Sequence, residues 1–234
     1  MAEVPEVLMA HNDDVLSVAF SPEGNRLVSG SDDLNFKLWD LTEGSSRNLE
    51  QGFDEVWAIA YSPDGQTLAS VTKDHRIALW DVGSRQIKQL LTGHTGEVLD
   101  LEFTPNGTTL ASGSADGAVR IWDVEKAELR TTITTEDLVY RLTVSPDGQT
   151  LATSTTLSPL IRLWDLTTGE KIADLEGHYY GVRGLDFSPD GTTLASCDEQ
   201  GDCEALGSEY IGGNSYGSRG PLPSDRGIGL QPRR

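Results

Sequence analysis

Residues 93–123 read GHTGEVLDLEFTPNGTTLASGSADGAVRIWD, and this stretch decides the fold. Val98 to Phe103 alternates apolar and polar side chains, the period of a strand. Pro105-Asn106-Gly107 follows as a turn, because Pro fixes φ and Gly accepts a positive one. Thr109 to Gly113 reads as a second strand, and Ala115-Asp116-Gly117 as a tight hairpin of the Asp-Gly kind. Val119 to Trp122 is a third strand, with Val119 and Ile121 on one side and Arg120 and Trp122 on the other. Leu129 to Ile133, rich in Thr and Ile, is a fourth. Strands with large residues on both faces must be covered on both faces, so this four-stranded unit needs a neighbour on each side.

Working outward, the same unit recurs. Ser21-Pro22-Glu23-Gly24 returns at Ser62, Thr104, Ser145 and Ser188, at spacings of 41, 42, 41 and 43 residues. A second marker, Trp-Asp, stands at Trp39, Trp80, Trp122 and Trp164 and keeps that spacing to within a residue. A third, Gly-His, stands at Gly93-His94 and Gly177-His178, with Ala10-His11 a weaker form. Two markers locked to one period define a repeat protein. The set resembles the WD-repeat family over roughly residues 5 to 201. The fold expected is all-β: a WD-repeat β-propeller with four complete four-stranded blades and a partial fifth, open or incomplete.

The resemblance implies a structural hydrogen-bond tetrad in each blade. By position it comprises His11, Ser29, Asp33 and Trp39 in the first repeat and His94, Ser112, Asp116 and Trp122 in the third. The second has Ser70, Asp74 and Trp80, with Phe53 near the His slot. The fourth has Thr153 and Trp164, with Thr135 in place of His and Leu157 or Ser158 in place of Asp. The fifth keeps His178 and Ser196, with Gln200 where Asp belongs. A Ser-His-Asp set invites a hydrolase reading, but no Gly-x-Ser-x-Gly elbow accompanies it. An active site would also not recur once per blade. No catalytic residue, cofactor or metal site is therefore expected.

The family resemblance places partner binding where the innermost strands begin. The residues flanking the first apolar position of those strands include Asp14, Glu55 and Glu97 before it, and Trp57, Leu99, Tyr140 and Arg183 after it. Simple alternation would put the two sets on one side. Acids around an aromatic suit a basic protein or peptide partner. The competing reading is that Trp57 fills space between blades and the acids are merely solvated. Lys73 and His75, on the second blade's hairpin, could join the same face.

Charge points the same way. The 234 residues hold 18 Lys and Arg against 37 Asp and Glu, a net charge of −19. Phosphates and anionic membranes are repelled by such a surface, so no nucleic acid and no membrane partner is expected. Solubility alone would account for the charge equally well. The two cysteines, Cys197 and Cys203, do not make a disulfide framework and suit a reducing, cytoplasmic setting. Residues 202–234 are rich in Gly, Ser and Pro and read as a disordered tail, while residues 1–201 form the propeller. Residues 6–10 could lend a closing strand. An arc left open would expose blade faces and permit self-association through them. The function expected is a non-catalytic protein-interaction scaffold. A truncated propeller fragment without autonomous function is the alternative, since the irregular ending is also what truncation would leave.

Overall fold

The computed structural model describes residues 11–33, 35–51, 58–72, 74–135 and 137–207. Residues 6–10, Phe53, Glu55, Trp57, Lys73 and residues 208–234 lie outside the described residues. Among those described there are nineteen strands and no helix.

The strands form five antiparallel sheets, each in sequence order, and each sheet is one blade. Blade 1 holds β1 (Val15–Phe20), β2 (Arg26–Ser31), β3 (Asn35–Asp40) and β4 (Ser45–Gln51). Blade 2 holds β5 (Ile59–Tyr61), β6 (Thr67–Val71), β7 (Ile77–Asp81) and β8 (Gln86–Leu91). Blade 3 holds β9 (Val98–Phe103), β10 (Thr109–Ser114), β11 (Ala118–Asp123) and β12 (Glu128–Thr134). Blade 4 holds β13 (Val139–Val144), β14 (Thr150–Thr155), β15 (Ile161–Asp165) and β16 (Lys171–Leu175). Blade 5 holds β17 (Val182–Phe187), β18 (Thr193–Asp198) and β19 (Cys203–Gly207).

The Ser-Pro-Asp-Gly turns show why that motif recurs. The Ser62 hydroxyl donates to Asp64 Oδ1 at 2.5 Å, and the Gln66 N–H donates to the same oxygen at 3.0 Å. The Thr67 N–H then donates back to Ser62 Oγ at 2.9 Å, which starts β6 in register. Gly65 closes the turn at φ 67°, where a Cβ would be strained. The Asp of each Trp-Asp pair caps the next turn: Asp165 Oδ1 accepts from the N–H groups of Thr167 and Thr168.

The core lies between blades. Ala111, Val119 and Ile121 of blade 3 form one buried cluster with Val139, Leu142 and Val144 of blade 4. Ala152, Ile161 and Leu163 of blade 4 do the same with Val182 and Phe187 of blade 5. The fit is close enough that a Cβ on Gly113 would stand 2.7 Å from a Val139 methyl. At the blade 3–blade 4 junction, carboxylates also close a strand edge. Asp100 Oδ2 accepts the Leu142 N–H at 2.9 Å, and Glu102 Oε2 accepts the Val144 N–H at 3.0 Å. These groups on the inner strand β13 thus find partners on the adjacent blade.

Three sequence expectations change. The fifth blade has three strands rather than two, because β19 lies within the segment read as disordered. Its residues pair in register with β18, Leu194 against Leu206 and Cys197 against Cys203, and Leu206 is buried. Five residues with a single apolar anchor were hidden by the Gly- and Ser-rich composition around them. Cys197 and Cys203 are joined as a disulfide across that pair, where the sequence offered no disulfide framework. Finally, simple alternation does not hold where the inner strands begin. Leu16, Leu99, Tyr140 and Arg183 each sit at a break in register of β1, β9, β13 and β17, as the extra residue of a bulge.

Candidate functional site

The recurrent polar residues converge inside blades 1 and 3. In blade 3 the Trp122 indole N–H donates to Ser112 Oγ at 2.8 Å. Ser112 lies 2.7 Å from His94 Nε2, and His94 Nδ1 lies 3.0 Å from Asp116 Oδ2. Ser112 Oγ accepts the indole proton and so turns its own proton to Nε2, which leaves the imidazole proton on Nδ1 for Asp116. Blade 1 repeats the arrangement with Trp39 to Ser29 at 2.9 Å, Ser29 to His11 at 2.7 Å and His11 to Asp33 at 3.0 Å. Each Asp also takes a backbone N–H across the hairpin, Asn12 to Asp33 and Thr95 to Asp116.

The electrostatics favour a neutral imidazole beside an ionised carboxylate. Burial pushes the His94 pKa down, against the pull of Asp116. Burial works to raise Asp116, but the Thr95 N–H, His94 and Arg120 outweigh it and hold the carboxyl at about 2. Asp33 is likewise held at about 2, against burial, by the Asn12 N–H, His11 and Asn35. Arg120 was not foreseen: its guanidinium donates to Asp116 Oδ2 at 2.8 Å. Ser112 is fully buried with its oxygen already engaged, so no substrate can reach it. The arrangement is a fastener between strands.

The other blades keep parts of this network. In blade 2, Trp80 donates to Ser70 at 2.9 Å, while Asp74 turns to Arg76 and Thr72. In blade 4, Trp164 donates to Thr153 at 2.8 Å. Thr135 there donates to the carbonyls of Gly117 and Asp137, and Leu157 is exposed, so neither completes a tetrad. In blade 5, His178 Nε2 lies 2.7 Å from Ser196 Oγ, as expected. Its Nδ1 instead faces Asp198, at 3.4 Å, a separation too long for a good hydrogen bond. Asp198 occupies the place that Ser114 holds in blade 3, two positions before the residue the motif nominates, which is Gln200. Leu206 fills the indole slot.

The surface residues divide by charge. At the start of blade 1, Asp13, Asp14 and Asp32 bring carboxylate oxygens within 4.8 Å of one another. Only Asp14 of these was singled out from sequence; the hairpin hydrogen bond from Asp32 N–H to the Asp14 carbonyl brings the other strand alongside. Glu97 is exposed at the corresponding point of blade 3, and Leu99 is half-buried beside it. Blades 4 and 5 differ. The Tyr140 ring has Arg141 at 4.6 Å and Arg183 at 4.5 Å from its centroid, and Arg183 is paired to Glu199 at 3.0 Å. Tyr140 is therefore engaged by the chain's own cations and does not present an open ring to a basic peptide. His75 sits in the blade 2 hairpin at φ 63°, a turn residue. The two clefts that stand out, about 260 and 240 Å³, lie at the blade 1–blade 2 junction around Arg26 and Val82 rather than beside these residues.

Comparison with known proteins agrees with this geometry. The family model for the WD domain, G-beta repeat, matches residues 3–40, 46–81, 85–123, 127–165 and 169–204. The chain is 50% identical over 40 residues to vegetative incompatibility protein HET-E-1 of Podospora anserina, covering 17% of this chain and 3% of that protein. It is 43% identical over 61 residues to WD repeat-containing protein SL1-17 of Schistosoma mansoni, 26% of this chain and 20% of that one. An uncharacterized WD repeat-containing protein of Schizosaccharomyces pombe is 37% identical over 60 residues, 26% of this chain and 15% of the relative. The matched stretches thus span no more than a fifth of any of these three relatives. With five matched repeats, five sheets in sequence order and an indole fastener in four of them, the chain belongs to the WD-repeat family of β-propellers.

Proposed function

We propose that this chain is a protein-interaction scaffold, and that it takes a basic segment of its partner at the acidic end of blades 1 to 3. WD-repeat propellers generally mediate protein–protein interaction, and function on such a fold resides in surface residues rather than in the fold itself. The observation that carries the reading is the convergence of Asp13, Asp14 and Asp32, with exposed Glu97 two blades on. A Lys or Arg side chain laid beside the exposed Asp13 and Asp14 gains charge–charge contact with both. The net charge of −19 draws a cationic segment from a distance. The Arg-flanked Tyr140 on blades 4 and 5 opposes the same segment and so fixes its direction. No chemistry is assigned to this surface: the Ser-His-Asp sets lie inside the blades.

The test is fluorescence anisotropy with a labelled oligo-arginine peptide and a glutamate-rich control. The wild-type chain should bind the basic peptide in a salt-sensitive manner. The double variant Asp14→Lys, Glu97→Lys should lose at least tenfold in affinity while keeping its melting curve. Equal binding by wild type and variant would remove this end as the site.

A further inference from the structure

We infer that the two end blades are complementary halves of a blade-to-blade junction, and that a second copy of this chain joins them head to tail. The inference is independent of what binds the acidic end.

The junctions between blades 2 and 3, 3 and 4, and 4 and 5 share the same two faces. One is presented by the inner strand of the later blade: Val98, Leu101 and Phe103 in blade 3, Val139, Leu142 and Val144 in blade 4, Val182, Leu185 and Phe187 in blade 5. The other is presented by the second and third strands of the earlier blade: Ala111, Gly113, Val119 and Ile121 in blade 3, all buried. Small residues on the second strand let the branched side chains of the next blade sit close, which is why Gly113 leaves no room for a Cβ.

The first face is left uncovered on blade 1. Val15, Val18 and Phe20 hold the positions of Val98, Leu101 and Phe103. They are 51%, 58% and 62% exposed, against 2%, 5% and 6% for their blade 3 counterparts. The second face is left uncovered on blade 5. Ala195, Cys197, Cys203 and Ala205 hold the positions of Ala111, Gly113, Val119 and Ile121. Ala195, Cys203 and Ala205 are exposed and Cys197 half-buried, whereas Leu194 and Leu206, turned the other way, are buried. The disulfide lies on this open face and ties β19 to β18. Among the described residues the inner strands pack in the order β1–β5, β5–β9, β9–β13 and β13–β17, and the two faces at blades 1 and 5 remain exposed.

The described residues thus present a branched apolar face at blade 1 and a small-residue face at blade 5. These are the surfaces that already meet between blades 3 and 4 and between blades 4 and 5, so docking blade 1 of one copy on blade 5 of another continues an interface the fold has built internally. Such a contact is heterologous: each copy uses one face and leaves its other face for the next, so association grows with concentration.

Sedimentation velocity across the micromolar range tests this. Wild type should shift to larger species as concentration rises. Phe20→Lys and Ala195→Glu should each remain monomeric, with unchanged melting because both positions are exposed. An equimolar mixture of the two variants should form a dimer and nothing larger, because one intact face survives on each. A wild type that stays monomeric throughout, single variants that associate as wild type does, or a mixture that stays monomeric would each overturn the inference. A monomeric wild type would leave some other blade as the occupant of the two faces.

Discussion

Replacing Glu102 with Gln should flatten the pH dependence of stability. Burial pushes the Glu102 carboxyl up to about 8 from an ordinary 4.5, and the nearby Asp100 and Asp186 charges add to the rise. The Val144 N–H and the Thr143 side chain pull the other way and are outweighed. The folded chain therefore holds a proton on Glu102 at pH values where the unfolded chain has lost it. Stability from this group is fully present below about pH 4.5 and is lost as pH rises through about 8. A shift from 4.5 to about 8 corresponds to about 5 kcal/mol, at ~1.4 kcal/mol per pH unit. Glu102 keeps some contact with solvent, which reduces this to roughly 2–3 kcal/mol. The glutamine oxygen can still accept the Val144 N–H, and it no longer titrates. Urea denaturation from pH 5 to 8.5 should show wild type losing roughly 2–3 kcal/mol more than Glu102→Gln, with closely matched stability at the acid end. Parallel curves for the two proteins would refute a protonated carboxyl at this junction. Asp100, raised by burial to about 6, contributes in the same direction over the lower part of the range.

The fastener itself gives the opposite sign with pH: Asp33 and Asp116, held at about 2, contribute stability above about pH 4 that is lost as pH falls toward 2. Asp116→Ala should cost about 3 kcal/mol in urea denaturation at pH 7, because His94 and Arg120 lose a shared partner. Leu101→Ala should cost roughly 2–5 kcal/mol by the same assay, whereas Val18→Ala, at the matching position of the uncovered blade, should fall within about 0.5 kcal/mol of wild type in the monomer. Arg85 takes φ 61° at the β7–β8 turn, where blades 1 and 4 use Gly44 and Gly169. Arg85→Gly should therefore raise stability by about 0.5–1 kcal/mol, read as a higher denaturation midpoint.

The repeat was legible because its markers are local. The Ser-Pro-Asp-Gly turn and the Trp-Asp cap satisfy their own backbone within a few residues, so each leaves a fixed imprint on the chain. Blades 1 and 3 were legible as tetrads because all four of their residues stand at the repeat positions, although His and Asp lie 22 residues apart. What escaped carries no recurring residue at a repeat position. Asp198 faces His178 from a position where other blades carry Ser or Thr, and no motif spacing marks it. β19 has no Trp-Asp and depends on pairing with β18. The bulges at Leu99 and Tyr140 appear only when two strands are laid together. At the surface, Asp14 and Glu97 could be picked out, but the convergence of Asp13 and Asp32 on Asp14 required the hairpin, and the arginines over Tyr140 required two blades.

The central claim is that each repeat is an antiparallel blade and that an indole closes each of the first four from within. Hydrogen exchange of the tryptophan indole protons, followed by ¹H–¹⁵N NMR, tests it directly. The account predicts strongly protected resonances for Trp39, Trp80, Trp122 and Trp164, each donating to a buried hydroxyl. It also predicts that Ser112→Ala lifts protection at Trp122 first. Indoles that all exchange as fast as free tryptophan would contradict it.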